Sequence, residues 1–290
     1  MSNPGKPIEL ASFVEDWSPQ PVETRDVVQR ERLVQLARSL DLDESQYSIA
    51  DTPIVGHWTA FQEWPASAEL GPDGHPARGA FYPPIPDRRR MFAGATVTAH
   101  EPMLVGVDTV RRTSLESVTP KVGRTGAMIF VVTRDEYIQA DRLCRTEMRN
   151  VVYRSGSDGT GRALVRGKTR PGPSADATWA SNWSVPSSTL FRFSALTANA
   201  HRIHYDAPYA TEVEGYPALV VHGPLLATLM ADAVGRAWGN AAIGKFSFRL
   251  QHPVYVDDML VVEGVSRSGG ADLTVTTAAG TAATATAVRA

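Results

Sequence analysis

The sequence predicts an α+β fold made of two related β-rich halves, each an antiparallel sheet that needs an apolar element to cover it. Three observations carry this. Residues 97–110, V-T-A-H-E-P-M-L-V-G-V-D-T-V, recur in outline as residues 248–261, F-R-L-Q-H-P-V-Y-V-D-D-M-L-V, with Pro102 matched to Pro253, an offset of 151 positions. Each copy leads into segments of alternating and β-branched residues broken by Gly-rich turns, which suits half-buried antiparallel strands. A single long apolar helix, residues 222–239, precedes the second copy.

Taken along the chain, a helix is expected at about Thr24 to Leu40, with Val27, Val28, Leu33, Val34, Leu36, Ala37 and Leu40 packing it on the outside of the first half. G-H-W-T-A-F-Q-E-W-P is too short to be a central helix, and the Gly/Pro-rich residues 69–86 follow it. A connection of that length without regular structure usually has a function. The aromatics around it, Trp58, Phe61, Trp64, Phe81 and Tyr82, point either to a bulky ligand or to a clamp over the first half's core. The first half then runs through R-R-T-S-L-E-S-V, a K-V-G-R-T-G turn and A-M-I-F-V-V-T-R-D-E-Y. S-G-S-D-G-T-G and P-G-P-S-A-D supply linker chemistry, so the halves are set at 1–160 and 161–290.

In the second half, residues up to Thr197 read as extended, and Asp206 and Pro208 as the cap and opening of a short helix. The helix at 222–239 carries Leu225, Leu226, Leu229, Met230, Ala233, Val234 and Ala237 at helical spacing, with Pro224 in its first turn and Gly239 at its stop. The closing strands are V-V-E-G-V, L-T-V-T-T-A and A-A-T-A-T-A-V.

Composition excludes several classes. Lys plus Arg number 29 against 31 Asp plus Glu, a net of -2, with the basic residues scattered, so nucleic acid is not the expected partner. Cys144 is the only cysteine, which rules out an intrachain disulfide and multi-cysteine zinc sites and fits a reducing, cytoplasmic setting. No apolar run approaches the ~20 residues of a membrane span, and no signal-peptide pattern opens the chain. G-x-S-x-G, G-x-G-x-x-G and P-loop motifs are absent.

The chemistry concentrates in N-A-H-R-I-H-Y-D, residues 199–206, which places Asn199, His201, His204 and Asp206 on one connection in a chain with seven histidines. Imidazole titrates near working pH, so this is a natural acid/base site. A metal is the alternative, with His201 and His204 as ligands and Asp206 or His222 as the third, although this spacing is not diagnostic.

From Phe193 to Pro208, F-S-A-L-T-A-N-A-H-R-I-H-Y-D-A-P resembles the signature aromatic-x-L-S-G-D-x-N-P-x-H-x-D-P of the hydratase 2, or MaoC-like, enzymes. A-L-T-x-N-x-H-R-I-H-Y-D, E-G-Y-P-x-L-V-V-H-G-P-L and P-I-P-x-R-R-R-M-F-A-G are similar to the mesaconyl-C4-CoA (3-methylfumaryl-CoA) hydratase branch. The resemblance covers most of residues 50–290. It implies a double hot-dog fold, two antiparallel sheets each wrapping a helix, with a degenerate N-terminal repeat that covers substrate and a C-terminal repeat that keeps the catalytic motif. It also implies reversible addition of water to an enoyl-CoA, no metal, no cofactor beyond the CoA thioester substrate, and a homodimer.

Carried over by position, the family's basic His falls on His204, its Asp on Asn199 and its Asn on His201, while the N–H of Gly223 would hold the thioester oxygen. His222, Arg202, Tyr205 and Arg90 are the substrate-side candidates. His222 also reads as a helix-entry residue and Tyr205 as a packing residue, and Arg202 or one of Arg88, Arg89 and Arg90 would meet a free carboxylate. Asn199 cannot exchange a proton as a carboxylic acid does, so the donor to the α-carbon stays open among His204, the hydrating water and His201. The same departure keeps two rivals open, a dehydratase acting on CoA or acyl-carrier-protein thioesters and a silent thioester-binding partner.

Overall fold

The computed structural model describes residues 10–47, 50–123, 126–155, 169 and 171–290. The 160/161 boundary, part of the K-V-G-R-T-G turn and the first nine residues lie outside the described residues. Among those described, ten strands form one continuous sheet. In chain order these are β1 (Val22–Val27), β2 (Arg88–Ala99), β3 (Asp108–Gly123), β4 (Gly126–Gln139), β5 (Arg142–Ser155), β6 (Trp179–Ser184), β7 (Ile243–Leu250), β8 (Met259–Arg267), β9 (Gly270–Thr277) and β10 (Gly280–Arg289). The order across the sheet is β1-β3-β4-β5-β2-β7-β10-β9-β8-β6. Each half thus contributes five strands, and the two sheets expected from the sequence are joined edge to edge through β2 and β7.

The repeat explains that seam. Thr96 pairs with Ser247, the residue 151 positions on, and their hydroxyls are 2.7 Å apart. Ala95 pairs with Phe248 and Val97 with Phe246, so the alignment offset is also the register of an approximate twofold through the Thr96–Ser247 pair. The symmetry continues beyond the strands. Met103 O accepts from Thr52 N–H as Val254 O does from Val221 N–H, and Val105 N–H donates to Ala50 O as Val256 N–H does to Leu219 O.

Immediately after these matched bonds the halves diverge. In the second, the chain enters α3 (Gly223–Ala237), with Pro224 in its first turn and Gly239 beyond its end at φ 64°. Residues 225–235 are all buried, so no side of this stretch faces solvent; Ala237, expected on the buried face, is exposed. In the first half the equivalent segment makes only a 3-10 turn, Gly56–Thr59.

The missing cover comes from α1 (Arg30–Ser39), whose Leu33 and Ala37 are fully buried in the same apolar core as Leu225, Leu229 and Met230 of α3. Two expectations are corrected here. Thr24 to Val27 belong to β1, and the helix lies inside the core rather than on its outside. A third correction concerns residues 187–196, expected to be extended, which form α2 (Ser187–Leu196) with Leu190 and Phe193 buried one turn apart and Phe191 65% exposed. No described helix is long and apolar enough to cross a membrane.

Candidate active site

The segment 199–206 therefore connects α2 to a single π-helical turn, Tyr209–Val213, rather than a strand to a helix. Asp206 caps it as expected, its Oδ1 accepting from Tyr209 N–H at 3.1 Å. Asn199 Oδ1 accepts the backbone N–H of His201 at 3.1 Å, so what its side chain can offer a water is the NH2 group.

His204 is held firmly. Its Nδ1 lies 2.7 Å from Val220 O, and since a carbonyl only accepts, the proton sits on Nδ1 and Nε2 presents its lone pair. Burial pushes this imidazole down to about 4, with the Val220 contact working against that and His75 adding to it, so it is a neutral base at pH 7. The ring stacks on His222, centroids 3.7 Å apart, and meets His201 edge-on at 5.4 Å.

His222 is fully buried, with Nε2 2.9 Å from Ser194 Oγ. Burial first, then His204 and His201, hold it neutral. It directly precedes α3, where the first N–H groups of a helix have no intrahelical acceptor. Gly223 N–H is the first of these, so a thioester oxygen beside the stacked rings would meet both a donor and the positive end of the helix dipole.

The other sequence candidates fall differently. Arg202 is already partnered: Nε and Nη2 donate to Asp206 Oδ2 at 3.0 and 2.8 Å, Nη1 donates to Pro72 O at 2.9 Å, and the guanidinium lies 4.0 Å from the centre of the Tyr209 ring. Tyr205 is 47% exposed and donates its OH to Ala200 O, which braces the segment locally. Arg90 lines a cavity of about 560 Å³ together with His75, Tyr82, Arg88, Arg89 and Glu214. Within it Arg89 pairs with Glu214, and Arg88 donates to Ala77 O. Arg90 Nε is buried without a hydrogen-bond partner among the described residues.

The sequence did not single out His75 or Asp73. Both sit in the long loop of the first half, which docks onto residues 200–202: Arg202 N–H donates to Asp73 O at 2.8 Å, and the His75 and His201 rings are 4.1 Å apart. The loop's unexplained length was the only signal. Of the aromatics flagged around it, Tyr82 lines the cavity, Phe61 is buried and Trp64 is 72% exposed.

Comparison with known proteins fits this geometry. The family model of the hydroxyacyl-thioester dehydratases type 2 matches residues 55–256. The chain is 43% identical over 211 residues to a mesaconyl-C4-CoA hydratase of Chloroflexus aurantiacus, covering 71% of this chain and 72% of that one. Among solved structures, a MaoC-like dehydratase from Phytophthora capsici superposes with a TM-score of 0.69 at 11% identity, over 97% of this chain and 98% of that one. A Mycobacterium tuberculosis protein described as a double hotdog gives 0.59 at 15% identity, over 96% and 98%. At those identities the likeness concerns the fold, and the fold is a double hot-dog.

Proposed function

The chain belongs to the hydroxyacyl-thioester dehydratase type 2 family, and on that premise we propose that it hydrates the double bond of a short enoyl-CoA carrying a second, free carboxylate, of the mesaconyl-C4-CoA type. It is a hydro-lyase of acyl thioesters. The observation that carries the assignment of the site is His204, its tautomer fixed by Val220 O and its ring stacked at the start of α3.

In this reading the thioester oxygen accepts from Gly223 N–H. As water adds to the β-carbon and the enolate forms, negative charge grows on that oxygen, where a fixed donor and helix dipole stabilise it without reorganising. His204 Nε2 takes the proton from water, while Asn199 orients the water through its NH2 group and His222 keeps His204 in plane. The acyl end carrying the carboxylate lies in the cavity, against Arg90. Its unpartnered Nε supports this placement, and guanidinium suits a carboxylate geometrically. The first half covers substrate and carries no second catalytic motif, and a homodimer remains the expected assembly.

The test is loss of the enoyl-thioester absorbance with mesaconyl-C4-CoA, crotonyl-CoA and a longer enoyl-CoA. His204→Ala is expected to lose roughly 100- to 10,000-fold in rate, and Arg90→Ala to lose the preference for the dicarboxylic substrate alone. Binding without turnover by the wild type would mean a thioester-binding module, and undiminished turnover by His204→Ala would remove His204 from the mechanism.

A further inference from the structure

Hydration needs two proton events, one taken from water and one delivered to the α-carbon. His204 accounts for the first. The residue five positions before it is Asn199, whose carboxamide does not ionise, so the catalytic segment by itself lacks a partner acid.

The first half brings one to the same place. Asp73 O and Pro72 O are both bound by Arg202, through its backbone N–H at 2.8 Å and its Nη1 at 2.9 Å. Asp73 then grips His75 twice, Oδ1 accepting the backbone N–H at 3.0 Å and Oδ2 lying 2.9 Å from Nδ1. A carboxylate there fixes the proton on Nδ1 and leaves Nε2 as the exchanging nitrogen. Among the described residues His75 is the histidine of this site with a carboxylate partner, and it is the one that lines the cavity, its side chain 16% exposed. His201 is pressed between His75 and His204. The titratable and charged groups around His75 are Asp73 from its own loop, Tyr82 and Asp87 before β2, Arg88, Arg89 and Arg90 from β2, His201 and His204 from the 199–206 segment, and Tyr209 and Glu214 on the far lining of the cavity.

We propose that His75, oriented by Asp73, is the second proton-transfer group of the site, so that the acid missing at Asn199 is supplied by the other half of the chain. The inference rests on the hydratase reading. In the hydration direction the water oxygen bonds to the β-carbon, and His204 Nε2 takes one of its protons. The double-bond electrons pass into the enolate, whose oxygen is held at Gly223. The enolate collapses as the α-carbon takes the Nε2 proton of the His75 imidazolium. His204 then returns its proton to solvent and His75 regains one through the cavity, so the net change is one water added.

Burial, with Arg90 and Arg88 adding to it, holds the His75 imidazole below its ordinary value, and Asp73 works against that; His201 and His204, with no carboxylate bonded to them, are driven down to about 2 and about 4. A metal offers the competing use of the cluster, because Asp73, His75 and His201 bring ligand atoms within 4.8 Å of one another. Their geometry favours proton transfer. Asp73 and His75 bond directly to each other, and the two imidazoles lie over one another, 38° between planes, instead of converging edge-on.

The experiment measures kcat and KM from pH 5 to 10 for the intact wild type, His75→Gln, Asp73→Asn and His204→Ala on the same thioester panel, with thermal unfolding alongside. His75→Gln is expected to keep its midpoint and KM, to lose roughly 100- to 10,000-fold in kcat, and to lose the alkaline limb, where the wild type falls as its acid deprotonates. Asp73→Asn should shift that limb to lower pH, since the imidazolium loses its counter-charge, and added imidazole should partly restore His75→Gly.

Wild-type kcat and the wild-type alkaline limb in His75→Gln beside an inactive His204→Ala would overturn the proposal and leave the hydratase reading intact. A uniform loss at all pH values with an unchanged alkaline limb would make His75 a packing residue. Wild-type activity lost to a chelator and restored by zinc would make the cluster a metal site. No turnover by the wild type would remove the hydratase reading first, and this inference with it.

Discussion

Gly74→Ala tests whether the docked loop is part of the site. Gly74 has φ 89°, and a Cβ built there would lie 1.9 Å from Ala200 O and 2.9 Å from Ala200 C. The left-handed conformation alone costs an L-residue about 1–2 kcal/mol. The overlap is worse, because it involves a backbone carbonyl that no rotamer can move.

The loop can escape only by lifting away from residues 200–202. It then gives up the Arg202 N–H bond to Asp73 O, worth about 1 kcal/mol, and the charged bond from Arg202 Nη1 to Pro72 O, worth about 1.5–3 kcal/mol. Those two bonds set the docking free energy at about 2.5–4 kcal/mol, and a clash that exceeds it by about 2.7 kcal/mol leaves roughly 1% of molecules docked. We therefore expect kcat/KM to fall about 100-fold. The unfolding midpoint should move only a few degrees, because the core around α3 is untouched. Gly74→Asn separates the two causes: Asn tolerates positive φ, so if φ were the whole problem Asn would restore activity, whereas the Cβ overlap predicts that it fails as Ala does. Wild-type kcat/KM and midpoint in Gly74→Ala would refute the docked geometry.

Two further predictions concern stability. His57 and His204 are both pushed down to about 4, chiefly by burial. Their folded values lie below the unfolded one, so the unfolded chain binds more protons and stability falls as pH drops from about 6.5 toward 4, by about 3 kcal/mol for each group. Denaturant midpoints measured across that window should follow this slope, and His57→Gln should reduce it. In the first half, Glu147 is fully buried, bound by His57 Nε2 at 2.8 Å, by Trp58 Nε1 and by Arg149 Nε at 3.1 Å. Burial alone would raise its carboxyl, yet Arg149 and His57 hold it far below the usual range. Removing one member of a buried ionic network costs about 3–5 kcal/mol, so Glu147→Ala should lower the unfolding midpoint by roughly 10 °C while sparing kcat/KM where the chain is folded. An unchanged midpoint would mean that the network adds no net stability.

What could be read in the sequence was whatever local pattern and packing agreed on. The helix at 222–239 is apolar on nearly every side and has Pro and Gly at its ends, so its burial and its limits could both be read. The repeat was legible because its two copies keep the same turn chemistry, and the offset it gave is the pairing register at the seam. Residues 187–196 misled because Thr189, Phe191 and Phe193 favour strands by type. What decides is the burial of Leu190 and Phe193 one turn apart against α1. V-E-T-R-D-V hid as β1 because an edge strand with charged residues has no apolar run to announce it. His204 stood out because residues 199–206 form one local polar stretch, whereas His75 meets His201 only through the fold.

That division has a physical origin in the asymmetry of the two halves. After the matched bonds at Thr52 and Val221, the second half opens a long helix whose first N–H groups can stabilise an oxyanion, while the first half makes a 3-10 turn and fills its interior with α1 and the Glu147 network. A short turn offers no comparable dipole. The first half therefore has no oxyanion site of its own to keep clear, and its chain can leave the core, cross to the other half and lay Asp73 and His75 on residues 200–202. Because β2 and β7 are joined at the pseudo-twofold, the two halves that the loop bridges share one continuous sheet. The loop needs only Gly74 to pass close enough, and Arg202, already held by Asp206, to receive it.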